Sequence, residues 1–129
     1  MNNSERLKML TFNLKKEWFN KIKSGEKTHE YRIMSEYWNK RITNLFKKAD
    51  AVVALNILKR RISDGLIAEL YPDFEFRFAC GYPKKNDKEK FLKAKMLSIT
   101  CNINGIDTDL KIDKPVYDIE FELIESEEK

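Results

Sequence analysis

Three side chains in one short segment could do chemistry together. The segment SGEKTHEYR, Ser24 to Arg32, holds Lys27, Glu30 and Arg32. On an extended strand successive side chains alternate, so Thr28, Glu30 and Arg32 share one face and His29 and Tyr31 the other. Glu30 and Arg32 can then pair directly. Lys27 falls just past a helix stop, in a turn, where strand alternation need not govern it. A turn or bulge there swings it over the Glu30–Arg32 face. Two cations around one carboxylate make an anion site with its own orienting group. A lysine so placed could also serve as a base or nucleophile. The plainer reading is a solvated ladder of surface charges, worth little to stability.

Other chemistries find less material. No GxGxxG or GxxxxGK[ST] loop is present to cradle a phosphate. The chain has one histidine, His29, which excludes a histidine-rich metal site, and nothing beside it suggests a serine triad. It reads as a half-buried or surface strand residue. Cys80 and Cys101 fit neither a disulfide framework nor a zinc pattern, and read as reduced thiols packed as small hydrophobes in a cytoplasmic protein. No metal ligands are expected. The charge is uneven: residues 113–129 carry a net −5 against +4 for the whole chain, leaving +9 on residues 1–112. That portion could present a basic face suited to phosphates.

The elements that must position the trio follow from pattern. MLTFNL is a first strand. KKEWFNKIKSG puts Trp18, Phe19 and Ile22 on one helical face, with Gly25 at the C-cap and Lys21 and Lys23 in the last turn, where they suit the helix dipole. THEYRIM is a strand. SEYWNKRITNLF is a helix or helical turn, N-capped by Ser35, with Tyr37, Trp38, Ile42, Leu45 and Phe46 on one face. DAVVALNIL is a buried strand, and Lys59 to Asp73 is ambiguous between a helix and an interrupted segment. FEFRFACGY alternates, with Phe74, Phe76 and Phe78 inward and Glu75 and Arg77 outward. YPKKNDKEK is a polar loop and FLKAKMLSITCNI a strand. Asn104-Gly105 signals a hairpin into VYDIEFELIE, whose Tyr117, Ile119, Phe121 and Leu123 face inward. The ends, about 1–6 and 126–129, are expected to fray. The longest apolar run, Ala51 to Leu55, is far too short to span a membrane, and MNNSERLKML has no apolar core of a signal peptide. One α+β domain over 1–129 is expected: a small, partly closed β-barrel of five to six mostly antiparallel strands with one to three peripheral helices.

SGEKTHEYR also resembles the G-x-K-x-x-E-x-R signature of the ASCH domain, a family of the PUA-like superfamily. Gly25, Lys27, Glu30 and Arg32 supply all four positions. The preceding helix EWFNKIKSG, the aromatic EYWNKRI and the strand ending in Gly81-Tyr82 are similar in kind and order, from about Leu10 to about Ile124. Lys59 to Asp73 is only loosely similar. The resemblance implies a PUA-like barrel whose cleft binds RNA or a modified nucleotide. Lys27, Glu30 and Arg32 would line it, with Gly25 shaping the turn and Gly81-Tyr82 approaching. Arg77 points to the cleft or to solvent. Trp18 and Trp38 either stack on bases or pack in the core. Lys84, Lys85, Lys88 and Lys90 either track a phosphate backbone or form a solvated loop.

Three functions stay open at this level. The first is an RNA- or nucleotide-binding module without chemistry. The second is a hydrolase in which Lys27 and Glu30 are catalytic. The family it resembles includes what looks like an amidohydrolase acting on N4-acetylcytidine, but there a threonine stands where this chain has Glu30, and Thr28 lies two residues off. It also includes what resembles a metal-stimulated ribonuclease, for which the lysine is retained, a divalent metal would be the cofactor, and Glu69, Asp73 or Glu75 could add a carboxylate. The third is a protein-interaction domain, for which an exposed Tyr37–Trp38 patch would speak. No membrane partner is expected.

Overall fold

A computed structural model describes residues 9–48, 69–70 and 74–124. The expected strand at DAVVALNIL, nearly all of the ambiguous stretch Lys59 to Asp73, and the frayed ends lie outside the described residues.

Strand β1 (Thr11–Leu14) buries Phe12 and Leu14 by simple alternation. Helix α1 (Lys16–Lys23) follows at once and buries Phe19 and Ile22. Then come β2 (His29–Ile33), α2 (Glu36–Lys48), the two-residue β3 (Glu69–Leu70), β4 (Glu75–Cys80), β5 (Phe91–Asn102) and β6 (Val116–Leu123). A single 3-10 turn, Lys88–Lys90, interrupts the polar loop before β5. Ser35 caps α2 as expected, its Oγ accepting from the Trp38 amide at 3.3 Å. Along α2, Ile42 and Phe46 are buried and Trp38 and Leu45 partly so. Tyr37 is 60% exposed, so it leaves the apolar face on which the sequence pattern put it.

The strands form one mixed sheet in the order β1-β4-β5-β6-β2, with β3 added to β5. Neighbours are antiparallel except β1 and β4, which run parallel from Thr11↔Arg77 to Leu14↔Cys80. The sheet curls into a half-barrel, so its two end strands, β1 and β2, approach without forming a ladder. A slip between Met96 and Ser98 marks a bulge in long β5, the kind of irregularity that increases local bending. Inside the curl Phe12, Phe76, Phe78, Met96, Ile99, Tyr117 and Ile119 are fully buried. Phe78 and Phe121 lie 4.8 Å apart between ring centres, and Phe12 meets Phe76 edge-on at 5.5 Å. Such aromatic pairs stabilise beyond the area they bury. Burial pushes the Tyr117 phenol far above its ordinary range, with the neighbouring Cys101 thiol adding to the effect. Its hydroxyl donates to Asn39 Oδ1 on α2, tying helix to sheet.

One expectation needs correction. β5 and β6 are antiparallel neighbours, yet Asn104-Gly105 is not a two-residue turn between them. Residues 103–115 make an excursion in which Gly105 bridges Ile112 in both directions, N–H to carbonyl at 2.7 and 3.2 Å. Thr108 Oγ1 donates to the Gly105 carbonyl and accepts from the Leu110 amide. Glycine is needed at 105 for proximity, since an added Cβ would stand 2.8 Å from Val116 Cγ1. The excursion carries residues 109 and 110 back over the gap between β1 and β2.

Candidate binding cleft

Lys27 owes its position to the way α1 stops. Gly25 has φ +86°, the left-handed conformation that ends a helix, and an added Cβ there would touch nothing. The Gly25 amide donates to the Ile22 carbonyl, and the Lys27 amide reaches back to the Lys21 carbonyl at 3.0 Å. The turn therefore ends one residue before Thr28 and leaves Lys27 beside the strand rather than on it.

Glu30 is 5% exposed and is the pivot of the site. Arg32 Nη2 and Nε approach its Oε2 at 2.6 and 2.8 Å, and Lys27 Nζ stands 3.6 Å from its Oε1. Lys27 also donates to Asp109 from the 103–115 excursion. The Arg32 guanidinium lies 5.0 Å from the Phe12 ring centre and 4.8 Å from that of Trp38, and its Nη2 reaches the Asn13 carbonyl at 3.4 Å. Arg32 thus spans from β2 to β1, closing with a side chain the seam that no ladder closes. Lys27 Nζ sits between the rings of Trp18 and Tyr31, 5.4 and 5.2 Å from their centres. Desolvation raises the Tyr31 hydroxyl above its ordinary range, and the Asp118, Asp109 and Glu30 carboxylates add to this.

Around these groups opens a cleft of about 370 Å³, within the size range of small-molecule sites. Its walls are Asn13 and Leu14 of β1, Glu30 to Ile33 of β2, Trp18, Trp38 and the Asp109–Leu110 tip. Three cations, Lys15, Lys27 and Arg32, face two carboxylates there, so the cleft keeps an excess positive charge.

Lys27, Glu30 and Arg32, expected together, do stand together. Gly25 shapes the turn behind them. Gly81, with φ +68°, is one bond away: its carbonyl accepts from Asn13 Nδ2 at 2.6 Å. Tyr82, expected to approach, is 91% exposed and lines no wall of the cleft. Arg77 is likewise elsewhere. Its Nε donates to Thr11 Oγ1 and its guanidinium covers the Phe91 ring, so its side chain is taken up by the two strands that flank β4, and it lines no wall of the cleft. Lys84, Lys85, Lys88 and Lys90 do not line the cleft either. Tyr31, expected to look the other way with His29, reaches the cleft because β2 is the sheet's last strand and Lys27 wraps past its edge. The two tryptophans are partly buried and line the cleft, so each both packs and presents a ring.

Asp109 was not legible in the sequence. The residues after Gly105, IDTDLKID, alternate as a strand would, so no local signal pointed to an excursion. His29 has a partner the spacing did not suggest, Asp118 Oδ1 at 2.7 Å across to β6. The exposed Tyr37 and half-buried Trp38 meet edge-on, which leaves only one of that pair free for a protein partner.

The two carboxylates in the cleft are engaged by Lys27 and Arg32, and among the described residues no group of three or more His, Cys, Asp or Glu could hold a metal. Of the further carboxylates considered, Asp73 lies outside the described residues and Glu75 is exposed on β4.

Fold and site together define an α+β half-barrel whose open seam holds a charged cleft walled by aromatic rings. No family model, curated protein or solved structure matches the chain.

Proposed function

We propose that this chain is an RNA- or nucleotide-binding module of the ASCH kind, built on a PUA-like barrel and acting in the cytoplasm. The observation that carries the reading is the nearly buried Glu30 holding two cations at the mouth of a cleft between tryptophan rings. A nucleotide asks for both parts of that arrangement. Its phosphate takes charge-assisted hydrogen bonds from Lys27 and Arg32. Its base stacks on Trp18, Trp38 or Tyr31. Glu30 serves as the orienting group, because both its oxygens are already engaged. The same engagement argues against an amidohydrolase of the N4-acetylcytidine type. The carboxylate standing where that chemistry uses a threonine is held by Arg32, and Thr28 is exposed.

The test is a binding panel of single-stranded RNA, structured RNA and modified nucleosides, with wild type and Lys27→Ala side by side. Both bound fraction and reaction products are recorded. Affinity for RNA should fall steeply between about 50 and about 200 mM salt, as counterion release requires. Lys27→Ala should weaken it by roughly ten-fold or more. No binding at the lower salt, or equal binding by the variant, would remove the reading; product formed by wild type alone would turn it into a hydrolase.

A further inference from the structure

A second cavity, of about 300 Å³, adjoins the cleft. The two share Trp18, Lys27, Tyr31 and Asp109, and the outer one adds Thr28, His29 and the exposed Lys21–Glu26 pair, 3.9 Å apart. The shared residues form the partition between them, with the Lys27–Asp109 ion pair at its centre.

The two halves of that pair are held differently. Lys27 is 11% exposed and fixed from behind by Glu30 and by the two rings. Asp109 is 41% exposed and comes from the tip of the 103–115 excursion. An incoming anion would therefore displace Asp109 and leave Lys27 in place. Exchanging one oxyanion for another on the same ammonium costs little charge–charge energy. With Asp109 turned away, cleft and outer cavity become one groove with a cation at its midpoint and a ring face on either side.

We infer that this groove takes two successive nucleotides of a single strand, with the phosphodiester that links them on Lys27 in the place of Asp109. This rests on the proposed nucleotide-binding function and narrows its ligand class to a linked pair rather than a lone nucleoside. A phosphodiester has the matching plan, a single negative charge between two planar groups. The inner base meets the tryptophan-walled cleft. The outer unit meets Thr28, Lys21 and the His29 ring, which stacks nearly parallel on Tyr31 with centres 6.2 Å apart. Asp118 Oδ1, at His29 Nδ1, turns the opposite edge of that ring outward.

The experiment titrates the wild-type chain and Asp109→Asn with nucleosides, 5′-mononucleotides and dinucleoside monophosphates. In wild type the dinucleoside monophosphate should bind at least about ten-fold more tightly than either nucleoside, the contribution of one more stacked base and a phosphate contact. Asp109→Asn frees Lys27 and should tighten phosphate-bearing ligands about two- to five-fold relative to nucleosides. Nucleosides that bind wild type as tightly as dinucleoside monophosphates do, with no gain in Asp109→Asn, would overturn the two-unit groove and leave the nucleotide-binding function standing. Failure of every nucleoside and nucleotide to bind either protein would overturn both.

Discussion

Replacing Glu30 by alanine tests whether the charge trio is an assembled site or a surface ladder. The Glu30, Lys27 and Arg32 side chains are only 6%, 11% and 19% exposed. Removing the carboxylate leaves two largely desolvated cations without their shared counter-charge. Breaking a buried pair in this way costs about 3–5 kcal/mol, whereas losing an exposed one costs about 0–1 kcal/mol. Lys27 keeps Asp109, and Arg32 keeps its two rings and the Asn13 carbonyl, so the low end applies, about 3 kcal/mol. For a chain of 129 residues that is a fall in Tm of roughly 10 °C, and a domain of this size can lose it and still fold. Urea unfolding followed by tryptophan emission gives the free energy directly. Glu30→Gln, which keeps one acceptor for Arg32, should lose about half as much. Glu30→Gln with Arg32→Met should lose less than the sum of the two single changes. A loss below about 0.5 kcal/mol for Glu30→Ala would place the trio with exposed ion pairs and refute its role as a built site.

Other outcomes follow from the same geometry. Gly25→Ala adds no clash but forces a Cβ into left-handed backbone, so it should lower stability by about 1 kcal/mol and weaken nucleotide binding through Lys27; an unchanged melting curve would contradict the helix stop. Tyr117 is neutral in both folded and unfolded states below its ordinary pKa of 10.0, so it adds no pH slope there. Above pH 10 the unfolded phenol ionises while the buried one does not, and stability should fall by about 1.4 kcal/mol per pH unit. Tyr117→Phe should lose about 1 kcal/mol at neutral pH with the Asn39 hydrogen bond, yet flatten the alkaline fall, Tyr31 supplying a remaining part of the same sign. Urea unfolding at about pH 8 and about pH 11 measures both effects, and equal slopes for variant and wild type would contradict the buried phenol.

What could be read in advance was local. Gly25 after an amphipathic turn, Ser35 before an aromatic one, and the alternation of Phe76 with Phe78 each depend on a few neighbouring residues. The structure places a helix stop, a cap and a strand there. Lys27, Glu30 and Arg32 were legible for the same reason, since a turn and five strand residues bring them together. Long-range closure was not. Nothing near Thr11 announces a parallel partner beginning at Arg77, because four described elements, α1, β2, α2 and β3, intervene before β4. Asp109 is 82 residues from Lys27 and reaches it only through an excursion whose sequence reads as a short hairpin. Alternation placed Arg77 and Tyr31 on faces of ideal strands, but the pairing of β4 and the edge position of β2 decide which of them meets the cleft. The curled mixed sheet with its helices is the α+β arrangement that the alternating strands and the two amphipathic helices led one to expect.

The chain contains two tryptophans, and both line the cleft. Intrinsic tryptophan emission therefore reports on that cleft and on the cavity that adjoins it at Trp18. Single-stranded RNA added at low salt should produce a saturable change in emission that follows the independently measured binding curve. Trp18→Phe and Trp38→Phe should each retain part of it. RNA that binds without altering the emission would lie elsewhere on the molecule and contradict a Lys27–Glu30–Arg32 binding cleft.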